Sequence, residues 1–262
     1  MSSLTIILPF FNEEGWIDKT VQTLAIQSDI RFRLLLIDNG STDNGTEQAR
    51  EAARSLGSRA EILSCPTPGK IHAMALGLSR VETAFVAICD ADTEYPIDYV
   101  KRILDLFTGD PEAASVMAID LYAPLESAES RKRTDFILRK SRRFSAKCHA
   151  GGYAQAYRTD ALRAAGGFDA KRWPYVLEDH EIVHRVMAHG RAIYDRDHVC
   201  FPSARRSCRK AVSWTRAERL IYRFTPRFAL DWYFYTFLGR RLAARNGTGD
   251  ALRMKDWPAQ RP

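Results

Sequence analysis

The chain has 262 residues, 45% of them hydrophobic, and a formal net charge of +7. That length and apolar content suffice for a substantial core in one α/β unit with room for an appended tail, and they exclude a disordered chain. Five cysteines (Cys65, Cys89, Cys148, Cys200, Cys208), odd in number and never spaced C-x-x-C, argue against a disulfide framework or a structural zinc site and for thiols in a reducing cytoplasm.

Residues 4–8 read as a first strand. The apolar stretch 4–11 lacks a basic leader and runs into Asn12-Glu13-Glu14, so it reads as neither a secretory signal nor a spanning helix, and no other apolar run is long enough to cross a bilayer. Asn12 is placed to cap the next helix, with Glu13 and Glu14 in its first turn. Residues 34–37 form a second strand, closed by the turn cluster Asn39-Gly40-Ser41, before a helix over 47–56. A third strand falls at 61–63. Pro66-Thr67-Pro68-Gly69 forces an irregular loop, a short helix covers 71–78, and a buried strand over 84–89 runs into Asp90-Ala91-Asp92. A helix from Pro96 to Phe107, a strand at 114–118 and a basic helix over 129–147 follow, ended by Gly151-Gly152. Helices over 159–165 and 178–189 stop at Gly166-Gly167 and Gly190, and a strand over 192–194 comes next. From Ser213 to about Ala244 the pattern is helical and aromatic, and Asn246-Gly247-Thr248-Gly249 reads as a fraying tail. No internal repeat or clear linker appears. Alternating apolar runs and amphipathic stretches predict an α/β fold, a mostly parallel sheet flanked by helices. The division is a catalytic domain over 1–210, with halves 1–95 and 96–210, and a helical extension over 211–262.

Ligands of open parallel sheets bind at the carboxyl ends of strands, where Asp90 and Asp92 fall. Two carboxylates one residue apart can converge on a hard divalent ion that bridges the pyrophosphate of a nucleotide. Alone, Asp-x-Asp is also a common turn. The neighbouring motifs sharpen it. Ile7-Leu8-Pro9-Phe10-Phe11-Asn12-Glu13, Leu36-Ile37-Asp38-Asn39-Gly40-Ser41-Thr42-Asp43, Gly69-Lys70-Ile71-His72-Ala73-Met74-Ala75-Leu76-Gly77, Asp90-Ala91-Asp92, and Gly166-Gly167-Phe168-Asp169 followed by Glu178-Asp179 occur in that order. Together they resemble the family-2 inverting glycosyltransferases of the GT-A type over most of residues 4–200.

The resemblance implies a GT-A-type, Rossmann-like fold and inverting transfer of a sugar from a nucleoside-diphosphate sugar, UDP favoured over GDP, to an acceptor hydroxyl. It implies Mn2+ or Mg2+ on Asp90 and Asp92. Pro9, Phe10, Asn12, Glu13, Asp38, Asn39, Lys70, Asp90 and Ala91 would contact the nucleotide. Asn39 stands where the family has a second aspartate and Ala75 where it has an asparagine; Asp38 remains able to accept an N–H from uracil or guanine. Asp179, with Glu178 beside it, is the implied general base; it would open the 178–189 helix, whose dipole favours the carboxylate. The bland reading is that the pair only complements a helix terminus.

The same helix holds His180-Glu181-Ile182-Val183-His184, formally the H-E-x-x-H of zinc peptidases, though no obvious third ligand accompanies it. A non-catalytic nucleotide-sugar-binding protein is the other alternative. Arg205 or Arg206 could clamp a leaving diphosphate, and His198 could complete the metal shell or be a plain strand-end histidine. Charge is split: residues 1–130 hold 10 Lys/Arg against 20 Asp/Glu, residues 131–262 hold 29 against 12. The basic half suggests an anionic or lipid-linked acceptor and peripheral contact with the inner face of a membrane. Aromatic residues interleaved with arginines beyond Ser213 fit core packing, a membrane-surface site or an oligomer contact. No recognised nucleic-acid module accompanies them, so no nucleic-acid partner is expected.

Overall fold

An unbroken apolar strand needs cover on both faces, and β1 (Leu4–Phe10) has it, with every residue buried. α1 (Ile17–Ala25), β2 (Phe32–Asp38), α2 (Gly45–Ala53), β3 (Ala60–Ser64), α3 (Lys70–Ser79) and β4 (Phe85–Ile88) follow in the computed structural model, which describes residues 2–203, 205 and 214–249. β1 pairs parallel with β2 and β4, and β2 with β3. α3 lies directly on β1 because Gly77 has no side chain; a Cβ there would sit 2.6 Å from Ile7 Cγ2.

After β4 come β5 (Thr93–Glu94), α4 (Tyr99–Gly109), β6 (Ala113–Asp120), α5 (Ala128–Arg143), β7 (Gln155–Arg158), α6 (Thr159–Ala164), α7 (Glu178–Val186) and β8 (Arg191–Pro202). β7 enters antiparallel between β4 and β6, β8 runs parallel to β6, and the strand order is β3-β2-β1-β4-β7-β6-β8-β5. This is the expected α/β sheet flanked by helices. Four local expectations change. β7 and β5 are additional strands, and β8 extends from the expected three residues to 12. α7 stops at Val186. Asn12 does not cap a helix: its φ is +54°, its Oδ1 accepts the Thr42 N–H at 2.8 Å, its own N–H donates to Ser41 Oγ at 3.1 Å, and α1 begins only at Ile17. Lacing to the β2–α2 loop replaces capping.

Beyond β8 lie α8 (Arg216–Phe224), a π-helix over Trp232–Leu238 and α9 (Gly239–Ala244). Thr215 and Glu218 close α8 with a capping box. Glu218 is buried and takes hydrogen bonds from Arg241 Nε at 2.8 Å and Arg245 Nη1 at 2.5 Å. Burial opposes its charge, but the donors Arg245, Thr215 and Arg241 prevail and hold its pKa down at about 2. Tyr222, Tyr233, Phe234, Leu238 and Leu242 pack with Trp173 and Val176 in a second apolar cluster. The segment 246–249 does not fray as expected: Gly247 N–H donates to Leu242 O at 2.8 Å, Val176 N–H donates to Gly247 O at 2.9 Å, and Thr248 bridges Tyr175. Among the described residues no helix is long and apolar enough to cross a membrane.

Candidate active site

Parallel strands end together, so the loops after β1, β2 and β4 share one edge of the sheet. Pro9 and Phe10 close β1, in register with Ile37 and Asp38 of β2. Asp38 accepts Ser41 N–H at 2.8 Å and Thr46 Oγ1–H at 2.9 Å, which holds the turn open. Asn39 is buried and uses both ends of its amide: Nδ2 donates to Cys65 O at 3.2 Å and Thr67 O at 2.7 Å, while Oδ1 accepts Gly69 N–H at 2.8 Å. A carboxylate could make only the last of these contacts. The amide therefore fixes the loop that delivers Lys70.

Asp90 and Asp92, which follow β4, have separate cationic partners. Asp90 is buried, pairs with Lys70 Nζ at 2.5 Å, and has its N–H held by the hydroxyl of buried Tyr95 at 3.1 Å. Tyr95 donates in turn to Tyr153 O at 3.0 Å. The start of α7 approaches the same lysine: a Cβ on Gly152 would lie 3.5 Å from both Lys70 Nζ and Asp179 Cβ. Burial pushes the Glu178 carboxyl up, Lys70 opposes that shift, and the charges of Asp179 and Asp90 push it further up. Asp90, Lys70, Glu178 and Asp179 thus form one electrostatic group. Leu177, just before Glu178, has φ +67°, a left-handed conformation rare for a non-glycine residue.

On the other side, Asp92 Oδ2 accepts Arg205 Nε–H at 3.0 Å and Ser203 Oγ–H at 3.1 Å. Arg205 also donates to buried Glu13 and lies over the Trp16 ring, 4.8 Å from its centroid. Ala91 is buried, and its carbonyl accepts Thr20 Oγ1–H at 2.9 Å. Beside Asp92 a cavity of about 530 Å³ is bounded by Trp16, Lys19, Glu94, Tyr122, Phe201 and Arg205. The two aspartates offer hard oxygen donors suited to Mg2+ or Mn2+. Among the described residues no group of three metal-ligating side chains occurs. Two carboxylates fit part of the shell of such an ion.

His198 is not brought to these carboxylates. It is buried, stacks on Tyr99 with centroids 4.8 Å apart, and has no hydrogen-bond partner for either ring nitrogen. It lies five residues before Ser203, which bonds the Asp92 carbonyl, or on the order of 15 Å along a strand. Burial drives its pKa down to about 3. Arg206 lies outside the described residues.

The H-E-x-x-H match is structural. Glu181 and Arg185 are buried together, Arg185 Nε donating to Glu181 Oε1 at 2.7 Å and Nη2 to Oε2 at 2.9 Å, with Tyr235 OH donating to Oε1 at 2.5 Å. Arg185 also holds the carbonyls of Ala165 and Gly167. His180 turns to His149, ring nitrogens 3.3 Å apart, and His184 to Asp231 at 2.7 Å. The histidines have separate partners and the glutamate is sealed in, so the peptidase reading ends here.

Three supporting groups had escaped the sequence. Tyr95 positions Asp90. Gln155 of β7, buried, donates to Ala150 O at 2.8 Å and Asp179 O at 3.2 Å. Asp120, ending β6, accepts from Tyr122 OH and Tyr153 OH, both at 3.1 Å, and from Arg133. None sits in a periodic pattern or motif; each is legible only once β6, β7 and α7 are side by side.

Paired carboxylates after a central strand, with an acidic pair opening a helix across the cleft, on a sheet of this order, define a GT-A-type glycosyltransferase domain. The chain belongs to glycosyl transferase family 2, whose model matches residues 5–166. It is 30% identical over 108 residues to the teichoic acid poly(glycerol phosphate) polymerase of Staphylococcus epidermidis, covering 41% of this chain and 15% of that protein. It is 26% identical over 106 residues to the undecaprenyl-phosphate 4-deoxy-4-formamido-L-arabinose transferase of Edwardsiella ictaluri, covering 39% and 33%. The chain spans about half or less of the length of the curated relatives it matches. Among solved structures it resembles the mannosyltransferase PcManGT of Pyrobaculum calidifontis, determined with GDP-Man and Mn2+, at a TM-score of 0.68 and 20% identity over 98% of this chain and 77% of that one. S. aureus TarS 1-349 with UDP-GlcNAc gives 0.64 and 17% over 97% and 76%. At these identities the likeness is one of fold.

Proposed function

We propose that this chain transfers a sugar, with inversion, from a nucleoside-diphosphate sugar to an acceptor hydroxyl, UDP favoured over GDP, and that the acceptor is lipid-linked or anionic. The observation that carries the reading is the convergence of Asp90, Lys70, Glu178 and Asp179 on one edge of the sheet, with Asp92 and Arg205 beside them. Pro9, Phe10, Asp38 and the loop fixed by Asn39 would bound the base. Asp90 and Asp92 would hold a divalent ion, which when bound supplies charge neutralisation at the diphosphate. Lys70 and Arg205 now neutralise those carboxylates; with a diphosphate in place both are positioned to turn their N–H groups to its oxygens, Arg205 in a forked manner. Asp179 takes the proton of the acceptor hydroxyl as that oxygen attacks the anomeric carbon opposite the diphosphate, and Gln155 fixes the backbone that carries it. Glu178, beside it, serves to shape the α7 entrance.

Calorimetry with UDP and GDP, each with Mn2+, Mg2+ or EDTA, tests the donor half. Binding that depends on metal and is lost in Asp92→Asn is expected; equal binding in EDTA would remove the premise. A non-catalytic binder would bind the donor and never turn it over, whatever acceptor is offered.

A further inference from the structure

The helical segment after β8 has two faces of different character. Inward, Tyr222, Leu230, Tyr233 and Phe234 are buried. Outward, Leu220, Phe224, Phe228 and Trp232 are 58%, 74%, 90% and 51% exposed. These four recur every fourth residue, and three directly follow an exposed arginine: Arg219-Leu220, Arg223-Phe224 and Arg227-Phe228. Arg216 opens the helix on the exposed side. Of the two acids of this stretch, Glu218 is buried and Asp231 is exposed and bonds His184, so one surface acid stands against the exposed Arg216, Arg219, Arg223 and Arg227. Large apolar side chains left together in water mark an interaction surface.

The surface continues onto the end of α5. Lys147 Nζ donates to Arg223 O at 2.8 Å and lies over the Tyr222 ring, 5.8 Å from its centroid, joining the two helix ends. There Arg142 and Arg143 are exposed, Phe144 is 44% exposed, and the Arg143 guanidinium lies 5.5 Å from the Phe144 ring centroid.

We propose that this face docks on an anionic lipid bilayer. Leu220, Phe224, Phe228 and Trp232 enter the boundary between headgroups and acyl chains, while Arg216, Arg219, Arg223 and Arg142 sit among the lipid phosphates. Leu220 and Phe224 lie on α8, Phe228 in a short turn over Arg227–Ala229 and Trp232 at the start of the π-helix; apolar side chains beside guanidinium groups, on helical pieces each too short to span, match the chemistry of an interfacial segment. Charge decides against a second copy of the chain, because a two-fold contact through this patch would set its arginines against their own copies. An anionic bilayer satisfies both the charged and the apolar components. The proposal goes beyond the transferase reading and does not depend on it. The buried side of α8 connects to the site: Tyr222 meets His149 with ring centroids 6.5 Å apart, and His149 meets His180, next to Asp179.

Co-sedimentation of the full chain with vesicles of phosphatidylcholine alone, or of phosphatidylcholine mixed with phosphatidylglycerol, tests it. At low salt the mixed vesicles should bind at least about tenfold more tightly than the neutral ones. Phe224→Ser with Phe228→Ser should weaken binding by about tenfold or more. Arg219→Gln with Arg223→Gln should lower it roughly tenfold and flatten its salt dependence. Thermal unfolding and UDP binding, read on the same preparations, should stay as in the wild type, which separates this surface from the donor site. No binding to mixed vesicles at low salt would overturn the proposal, as would variants that bind like the wild type. A dimer or oligonucleotide complex that the phenylalanine substitutions abolish, with vesicles ignored, would overturn it in favour of that partner.

Discussion

At the sheet edge, Asp90 and Asp92 face Lys70 and Arg205, cations carried in by other elements, and Asp92 and Arg205 line a cleft. In the helical body, Glu181 and Glu218 also face arginines, but Glu181 is held by Arg185 and Tyr235, and Glu218 by Arg241, Arg245 and its own capping box. The carboxylate–cation chemistry is the same. What differs is whether a ligand can displace the partner. An arginine that can swing to a phosphate makes a site, and one whose carboxylate is sealed beneath aromatic rings makes a brace. α7 contains both, Asp179 at its mouth and Glu181 two residues further in.

Substitutions at these positions should separate the two regions by what is lost. Asp179→Asn should abolish transfer while sparing stability and UDP affinity; loss of general-base action costs on the order of 10²–10⁴-fold in rate, read in a sugar-transfer assay. Near-normal turnover would move the base elsewhere. Glu181→Ala should do the reverse, destabilising the fold by about 3–5 kcal/mol in urea unfolding because Arg185 is left buried and unpaired. Arg205→Met should lower diphosphate affinity roughly tenfold, the worth of a charge-assisted hydrogen bond, yet tighten Mn2+ binding without nucleotide because Asp92 loses its competitor. If metal affinity does not rise, that pair belongs with the braces.

The smallest effect concerns His198. Its folded pKa, about 3, lies below the ordinary 6.5, so the unfolded chain binds the extra proton between those values. Stability from keeping it neutral is complete above about pH 6.5 and is lost progressively as pH falls toward 3. His198→Phe should flatten stability across that window in pH-dependent melting, add about 1 kcal/mol by removing two unpartnered nitrogens, and leave metal-dependent UDP binding intact. Loss of that binding would restore His198 to the metal shell.

The first half of the fold was legible because its strands are continuous apolar runs and its turns carry their own chemistry. Asp90 and Asp92 were legible from their place after such a run. β7 was not: Gln155-Ala156-Tyr157-Arg158 is short and mixed, and becomes a strand by filling the space between β4 and β6. β8 was cut short because Asp195-Arg196-Asp197 interrupts its apolar pattern where the ladder to β6 shifts register. The aromatic segment was ambiguous because neighbouring aromatics there differ in burial: Tyr233 and Phe234 go inside while Trp232 stays out. Only contact with Trp173 and Val176 decides which is which.

Asn39 carries a lesson for anyone redesigning this enzyme from its relatives. Restoring the aspartate that the family pattern has at this position looks like a repair. Here it would set a carboxylate against the carbonyls of Cys65 and Thr67 and strip both of the amide donor, at about 1–3 kcal/mol for a group left unsatisfied. Residue 39 and the loop over 65–69 form a single hydrogen-bonded unit, and a chimera must exchange them together or leave both alone.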